Sequence, residues 1–421
     1  MLQVLASAWA LLLGICLLMV GNGMQGTLLG IRGEIEGFST LEMSIVMSAY
    51  FVGFLGGSQM APGMIRRVGH VRVFAALASL ISAVMIMYPT FVEVWMWTIG
   101  RVLIGFCFSA VYVTAESWLN NAASNENRGQ ALSLYMIVQT AGIVASQALL
   151  LTADPSGYVL FVIPSILVSI AVTPILLSIS PTPAFDTTQP MSLRQLWVFS
   201  PLGCVGMFLL GGIFSAQFGM ASVYGAKAGL NVAQISTFVA TFFVGSVVLQ
   251  YPIGWISDRM DRRFLVIIVA AIGVGGSMLG MSLGSNFQIL LISAFMIGGM
   301  SNPLYSLLIA HTNDFLEHED MAAASGGLIF INGLGAIFGP IITGYMMDTI
   351  GPGGFYLFTG VLFAVLVFYA GYRSTQRKAI PVEETGSFVP LTQSSTPVAL
   401  EYAQEYAIES EIEDENAASG G

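Results

Sequence analysis

Long apolar runs follow one another along most of the chain and are separated by short polar segments. A helix that crosses the hydrocarbon layer of a membrane needs roughly 20 mostly apolar residues. Because the runs are long and do not alternate apolar with polar residues, we predict helices, not barrel strands. The predicted spans cover residues 5–30, 41–63, 71–90, 94–117, 130–152, 157–179, 200–225, 234–256, 264–284, 287–311, 324–347 and 354–373.

The first six spans resemble the last six at a nearly constant offset. With an offset of 192 residues, Tyr-Phe-Val-Gly at 50–53 matches Phe-Phe-Val-Gly at 242–245. Further matches at 192 or 193 are Gln25 with Gln217, Gly37 with Gly229, Ser44 with Ser236, Arg67 with Arg259, Gly105 with Gly298, Tyr112 with Tyr305, Gln139 with Asn332 and Gly142 with Gly335. We therefore predict an N-terminal six-helix bundle over 1–180, a linker over 181–199 and a C-terminal six-helix bundle over 200–374.

Composition supports a lipid environment. Hydrophobic residues make up 55% of the 421 residues and charged residues 9%, against about 25% charged in an average soluble domain. The formal net charge of −10 is uneven, because residues 375–421 carry nine acids and two bases, which is −7 of the total. We predict that this tail is disordered. Without a basic patch, no nucleic-acid partner is expected.

The basic residues predict the orientation. Cytoplasmic loops carry an excess of Lys and Arg, and eleven of the 14 bases fall on one side of the predicted spans. They are Arg66, Arg67, Arg72, Arg128, Arg194, Arg259, Arg262, Arg263, Arg373, Arg377 and Lys378. That distribution predicts a multi-pass membrane protein with both termini in the cytoplasm.

Several classes of chemistry lack a sequence signal. Cys16, Cys107 and Cys204 lie in apolar runs without ligand spacing, so neither a disulfide set nor a metal site is expected. No phosphate-binding glycine loop and no set of nucleophile, base and orienting group stands out. We expect no cofactor and no enzymatic activity.

Two related loops carry the most specific motif. Between spans 8 and 9 the chain reads Tyr-Pro-Ile-Gly-Trp-Ile-Ser-Asp-Arg-Met-Asp-Arg-Arg over 251–263, and the loop between spans 2 and 3 supplies Arg66 and Arg67. The first of these resembles the G-x-x-x-D-R-x-G-R-R loop of the major facilitator superfamily, with Asp261 where glycine is usual. In the second, Arg66 stands where the acid is expected. The resemblance implies a gating clamp at both loops, with topology alone as the alternative. Its residues are Arg66, Arg67, Asp258, Arg259, Asp261, Arg262 and Arg263.

Span 4 contains a polar stripe at helical spacing, made by Arg101, Gly105, Ser109, Tyr112 and Glu116. It resembles the R-x-x-x-G pattern in the fourth span of the same superfamily. An arginine inside a span is costly unless it faces water or a partner, so Arg101 is a candidate for binding or coupling. The alternative is that it reaches the outer surface. Glu116 is a second coupling candidate, or it pairs with Arg128 as a structural tie.

The family resemblance also implies that spans 1, 4, 7 and 10 line a central cavity. The polar residues on those spans are then candidates for substrate binding, together with Arg101 and Tyr112: Asn22 and Gln25 in span 1, Gln217 and Tyr224 in span 7, and Asn302 and Tyr305 in span 10. Uncharged amides beside tyrosines suit hydrogen bonds to a polar organic solute. The alternative is that they bond neighbouring spans together.

The run Glu-Ser-Trp-Leu-Asn at 116–120, followed by Arg128-Gly129, also resembles a poorly characterised bacterial subgroup of the superfamily. The resemblance, which covers roughly residues 5–373, implies a twelve-helix transporter of the bacterial inner membrane that works by alternating access. We expect a secondary active or facilitative carrier, monomeric and surrounded by lipid, for a small polar or anionic solute. Protons are one possible coupling ion, but no Asp or Glu lies in the middle of a span. The alternative function is a transporter-like membrane receptor that signals through the acidic tail.

Overall fold

The computed structural model describes residues 2–122, 128–177, 191–376, 380–381, 385–386, 388–401 and 403–404, and this part of the chain is helical and turn structure. The helices are α1 (Leu2–Ile35), α2 (Thr40–Val68), α3 (His70–Thr90), α4 (Val94–Ala122), α5 (Arg128–Leu149), α6 (Val159–Leu177), α7 (Leu193–Phe199), α8 (Pro201–Ser215), α9 (Ala221–Lys227), α10 (Val232–Ser257), α11 (Arg262–Leu283), α12 (Phe287–Asn313), α13 (His318–Ile350) and α14 (Gly354–Ser374).

Twelve segments in the described part are long and apolar enough to cross a membrane, which confirms the predicted spans. The seventh is α8 and α9 joined by one π-helical segment, Ala216–Met220. The predicted linker contains the short helix α7, while residues 178–190 lie outside the described part of the chain.

The two sets of six spans pack in the same way. In the first half α2 lies against α4, α1 against α5 and α6, and α3 against α6. In the second half α10 lies against α12, α8 against α13 and α14, and α11 against α14. Each of these contacts in the first half has its counterpart in the second, as the repeat in the sequence predicts.

The repeat extends to single close contacts between helices. A Cβ on Gly105 would overlap the carbonyl oxygen of Tyr50, and a Cβ on Gly298 would overlap that of Phe242. Those four residues form two matched pairs of the internal repeat. Small residues let two backbones approach closely inside a membrane, so the matched glycines define how α4 crosses α2 and how α12 crosses α10.

The loops that precede α2 and α10 are also equivalent. Gly37 and Gly229 have positive φ, at 79° and 76°, a conformation that glycine adopts without steric cost. Two residues later a polar side chain caps each helix: Ser39 accepts from the backbone of Glu42, and Asn231 accepts from that of Gln234. Both caps are reciprocal capping boxes, so the second helix of each half begins by the same local chemistry.

We call the end of the bundle that carries the 66–72 and 258–263 loops the basic face, and the other end the opposite face. The halves meet at the opposite face, where the Lys227 ammonium lies 2.7 Å from the Glu34 carboxylate. A Cβ on Gly30 would overlap Ser222, and one on Gly344 would overlap Ser44. The opposite face is therefore closed by direct contact between α1 and α9 and between α2 and α13.

Part of the tail departs from the predicted disorder. Residues 388–401 lie against the bundle at the basic face, and Leu391, Val398, Ala399 and Leu400 are buried. This stretch has no charged residue before Glu401. We predicted disorder from the net negative charge of the whole tail. That average does not apply to this uncharged stretch, which has apolar side chains to bury.

Replacing Gly298 with alanine tests the helix crossing. We expect Gly298→Ala to lower the melting temperature of the purified protein, since the added methyl group would push α12 away from α10 at a cost of about 1–3 kcal/mol. The matched control is Gly275→Ala, because no atom lies within 4 Å of a Cβ there. Equal melting temperatures for the two variants would contradict the proposed crossing.

Candidate functional site

A cavity of about 890 Å³ lies between the two halves. Helices α1, α2, α4 and α5 line it from the first half, and the π-helical segment with α10, α12 and α13 lines it from the second. Most of the wall is aromatic or aliphatic, with residues such as Tyr50, Phe54, Phe218 and Phe243. Polar groups are few and lie on facing helices, which is the usual character of a small-molecule site.

A polar network forms the wall of the cavity in the first half. The Arg101 guanidinium donates to the Gln25 side-chain oxygen at 2.7 Å, and the Gln25 amide donates to Asn22 at 3.3 Å. The Asn22 amide in turn donates to the hydroxyl of Tyr112 at 2.9 Å and to that of Tyr50 at 3.4 Å. Asn22, Tyr112 and Tyr50 line the cavity, so the network joins a buried cation to the cavity surface.

Arg101 itself is completely buried, at 0% exposure. Its guanidinium lies over the Tyr50 ring at 4.7 Å from the centroid, in reach of a cation–π interaction. Among the described residues, Nε and Nη2 of Arg101 have no hydrogen-bond partner. The structure therefore does not favour the alternative in which Arg101 reaches the outer surface.

The second half supplies uncharged amides. The π-helical segment Ala216–Met220 carries Gln217, whose amide donates to the Ser301 hydroxyl at 3.1 Å. Asn302 donates to Gln250 at 3.2 Å, and all four side chains line the cavity. A π-helical turn inserts one extra residue and often occurs at functional sites. The repeat places Ala294 at the position equivalent to Arg101, so the fixed positive charge belongs to the first half alone.

The structure divides the eight predicted substrate-binding residues into three groups. Asn22, Tyr112, Gln217 and Asn302 line the cavity. Gln25 and Arg101 lie directly behind this wall and reach it through Asn22. Tyr224 and Tyr305 do not line it.

Packing explains where those two tyrosines lie. The Tyr224 ring packs against Phe238, Phe355 and Tyr356 inside the second half. Tyr305 is 1% exposed in the core. From the helical spacing we predicted that each tyrosine shares a helix face with a residue that lines the cavity. An aromatic ring on such a face can also pack toward a neighbouring helix. We do not carry Tyr224 and Tyr305 into the proposed site.

Sequence reasoning missed several lining residues, among them Tyr50, Gln139, Gln250 and Asn332. They belong to α2, α5, α10 and α13, whereas the search was confined to spans 1, 4, 7 and 10. A signal was nevertheless present, because Gln139 matches Asn332 and Tyr50 matches Phe242 in the repeat. Matched positions face the same way from each half and so meet across the pseudo-symmetry axis.

The loop between α10 and α11 centres on one buried ion pair. Arg262 contacts the Asp314 carboxylate at the end of α12, and both side chains are nearly inaccessible to solvent. Asp258 lies 3.7 Å from the same guanidinium and is partly exposed. The pair ties the start of α11 to the end of α12, inside the second half. Burial raises the pKa of the Asp314 carboxyl, although the Arg262 guanidinium opposes that shift.

The other members of the motif have local roles. Asp261 caps α11 by accepting from the Arg263 backbone at 2.9 Å, and it also pairs with the Arg263 guanidinium at 2.7 Å. Partial burial alone would raise the pKa of Asp261, but these hydrogen bonds outweigh it and lower the pKa. The exposed Arg259 guanidinium stacks on the Trp255 ring, 4.2 Å from its centroid.

The first copy of the motif is built differently. Arg66 and Arg67 end α2 with exposed side chains. His70, which the repeat pairs with Arg262, is buried and bonds the Ser117 hydroxyl of α4 at 2.8 Å. A neutral bond from α3 to α4 thus replaces the ion pair that joins α11 to α12.

Glu116 is buried on α4. Its carboxylate accepts from the Tyr135 hydroxyl at 3.1 Å and from the Thr396 backbone at 3.2 Å. The predicted tie from Glu116 to Arg128 involves a side chain outside the described part of the chain. The described partners of Glu116 lie on α5 and in the C-terminal tail.

Twelve spans in two matched halves around a central cavity define a membrane transporter. The model of the Major Facilitator Superfamily matches residues 11–231 and again residues 202–403. The chain therefore belongs to the major facilitator superfamily, as its loop and span 4 motifs predicted.

Individual relatives agree with the family. An uncharacterized MFS-type transporter, YcaD, from Escherichia coli O7:K1 (strain IAI39 / ExPEC) is 25% identical over 346 residues, which covers 80% of this chain and 88% of YcaD. YcaD from Escherichia coli O81 (strain ED1a) is 24% identical over the same length. A crystal structure of the nucleoside transporter NupG has a TM-score of 0.69 at 13% identity and covers 90% of this chain and all of that one. A mutant form of NupG gives 0.73 at 14% identity, over 87% and 99% of the two chains. At that identity the likeness shows the fold.

The ion pair between Arg262 and Asp314 gives a stability prediction. We expect Arg262→Ala to destabilise the purified protein by about 3–5 kcal/mol, because it leaves a buried carboxylate without its partner. Arg259→Ala is the matched control and should cost less than about 1 kcal/mol, since its stacking partner is exposed. Thermal unfolding in detergent measures both, and similar losses for the two variants would show that the pair does not hold α11 to α12.

Proposed function

We propose that this transporter carries a small solute with a polar or anionic group across the bacterial inner membrane by alternating access. The observation that carries the proposal is the network from Arg101 through Gln25 to Asn22 and Tyr112 in the cavity wall. It supplies a fixed positive charge and oriented hydrogen-bonding groups on one side of a mostly apolar cavity.

Electrostatics supports a negative or polar group on the solute. A buried charge is costly unless it is paired, and none of the ion pairs in the described part of the chain involves Arg101. Two of its guanidinium nitrogens still have hydrogen-bonding capacity. An anionic or strongly polar group bound beside Asn22 and Tyr112 would lower that cost through the network.

The remaining wall supports an apolar or aromatic body on the same solute. Phe51, Phe54, Phe214 and Phe218 form a continuous set of ring contacts with Tyr50 along one side of the cavity. Gln217, Asn302 and Gln139 add separated amides around it. Nucleosides, which the NupG neighbours carry by name, belong in a first panel together with small carboxylates.

The contacts between the halves support alternating access. At the opposite face the halves touch through the ion pair of Lys227 with Glu34 and through side chains such as Ser222 on Gly30, while helices within each half approach backbone to backbone at Gly105 and Gly298. Rocking would break the first set and preserve the second. The Arg262–Asp314 pair would keep the start of α11 and the end of α12 moving as one body.

Energy coupling and topology complete the proposal. Glu116 is the acid on the span 4 stripe and is the candidate for proton coupling, with uncoupled facilitation as the other mode. The distribution of basic residues supports a cytoplasmic basic face with both termini there. We propose a monomer whose partners are the solute and the surrounding lipids.

Transport assays on Arg101 variants test this function. Screening nucleosides and carboxylates by thermal shift, then by flux into proteoliposomes with and without a pH gradient, identifies a solute. We expect Arg101→Ala to lower its flux by roughly 10- to 100-fold, because a hydrogen bond to a charged group contributes about 1.5–3 kcal/mol. Arg101→Lys should recover part of the loss, since it keeps the charge without the planar fork.

The control for these variants is Arg194→Ala, which removes an exposed arginine of α7 and should leave flux unchanged. Normal flux in a correctly inserted Arg101→Ala protein would refute the role of the network. A purified wild-type protein that moves no solute from the panel would instead favour the receptor alternative.

A further inference from the structure

The C-terminal segment, which the structure describes at residues 386, 388–401 and 403–404, enters the bundle from the basic face and reaches its middle. The Arg262 guanidinium contacts the Gly386 carbonyl, and the Phe388 backbone donates to Asp258 at 2.9 Å, so the segment starts at the gating loop. Farther on, the Gln393 amide donates to the Ser301 carbonyl at 3.1 Å. Ser301 lies twelve residues before the end of α12 at Asn313, about 18 Å of helix.

The segment then returns to the basic face. Gln404 donates to the Ser325 hydroxyl of α13 at 2.6 Å and to the side chain of Asn313 at 3.4 Å. Both of these partners lie near the loop between α12 and α13. The described residues of this segment therefore form a hairpin-like insertion whose tip, around Gln393, lies at the depth of the cavity.

Contacts at the tip involve groups of the proposed solute site. The Leu391 carbonyl accepts from the Asn302 amide at 3.4 Å, and the Gln393 backbone donates to the Asn302 side-chain oxygen at 3.4 Å. Ser301, which bonds Gln217, also holds Gln393 through its carbonyl. The wall of the cavity on this side includes Phe388, Pro390, Thr392, Gln393 and Ser394.

The segment also bridges the two halves. Thr396 donates its backbone N–H and its hydroxyl to Glu116 on α4 of the first half. The Leu391 backbone donates to the Ser306 hydroxyl on α12 of the second half at 2.9 Å. A connection of this kind fixes the distance between the halves at the basic face.

The sequence of the segment is compatible with a buried position between the two halves. Although the tail from 375 onward contains nine acids, residues 385–400 contain none and no base either. Their polar atoms are hydroxyls, amides and backbone groups, which cost less to bury than charges do. Leu391, Ala399, Leu400 and Ala403 are each at most 2% exposed.

We propose that this C-terminal segment, with residues 388–401 at its centre, is a built-in plug that competes with the solute for the central site and closes the path to the basic face. This proposal rests on the proposed transport function, because the path to the basic face is the route of the transported solute. Solute passes at the basic face only when the plug withdraws, and the plug re-enters when the site is empty.

Accessibility of a cysteine at position 306 tests the plug without any solute. In a background carrying Cys16→Ala, Cys107→Ala and Cys204→Ala, Ser306→Cys replaces a side chain that is 1% exposed beneath Leu391. The probe is a charged maleimide added to protein in nanodiscs, which leave both faces open. We expect a chain that ends at Thr385 to be labelled at least about tenfold faster than the full chain, a ratio equivalent to about 1.4 kcal/mol.

A second variant guards against a folding defect in the shortened chain. Leu400→Glu in the full chain puts a carboxylate at a position with 0% exposure and should release the plug, so that labelling again accelerates. Pro381→Ala, an exposed position before the plug, should label like the parent. Equal labelling rates in the parent, the shortened chain and Leu400→Glu would overturn the proposal.

A crosslink locates the plug directly. Ser306→Cys combined with Leu391→Cys should form a disulfide in the full chain under mild oxidation, while Ser306→Cys combined with Pro381→Cys should not. Absence of the first crosslink, or equal yields for both pairs, would overturn the proposal. Neither measurement depends on transport. If the protein shows the expected labelling but moves no solute, only the transport function is therefore refuted.

Discussion

Water is absent from the interior of a membrane, and the structure of this protein follows from that constraint. Every backbone polar group must find its partner within the chain, which is why the spans are helices. The same constraint acts on side chains. Most buried polar groups here bond across helices, as Asn22 bonds Tyr112 and Gln217 bonds Ser301. Arg101 is a charged group for which this matching is incomplete, since two of its guanidinium nitrogens have no partner among the described residues, and it lies behind the cavity wall.

The internal repeat combines close packing with asymmetric chemistry. Glycines at matched positions bring α4 against α2 and α12 against α10 in the same way, because a Cβ at either glycine would overlap a carbonyl oxygen of the facing helix. The two halves therefore share this close packing. The polar groups on that common frame differ: Arg101 has Ala294 as its counterpart, and His70 has Arg262. The two halves share the same helix packing. Different residues at matched positions place a charge behind the cavity wall in the first half and an uncharged residue in the second.

The basic face and the opposite face are closed by different means. At the opposite face the halves touch each other directly, through Lys227 with Glu34 and Gly30 with Ser222. At the basic face the tail lies between Glu116 and Ser306 and bonds both. In the proposed alternating access, direct contacts of the first kind would form and break as the halves rock. The tail segment would instead respond to whatever occupies the cavity, because its tip bonds Asn302, a cavity residue.

The sequence by itself determined the twelve spans, the two-half organisation and the family, and it singled out Arg101 as a charge within a span. Each of these signals can be read directly from the chain: the length of the apolar runs, the constant offset of the repeat, the motifs, and a charged residue in an apolar run. Tertiary structure alone decided which residues meet. Tyr224 and Tyr305 share helix faces with cavity residues but pack into the core, whereas Tyr50 and Gln139 line the cavity from helices that were not searched. Helical periodicity gives the direction of a side chain relative to its own helix, but not which neighbour lies there. The position of the C-terminal segment could not be predicted for the same reason. The average charge of the tail does not reveal the uncharged stretch within it, and the segment bonds residues that are more than 75 positions away in the sequence.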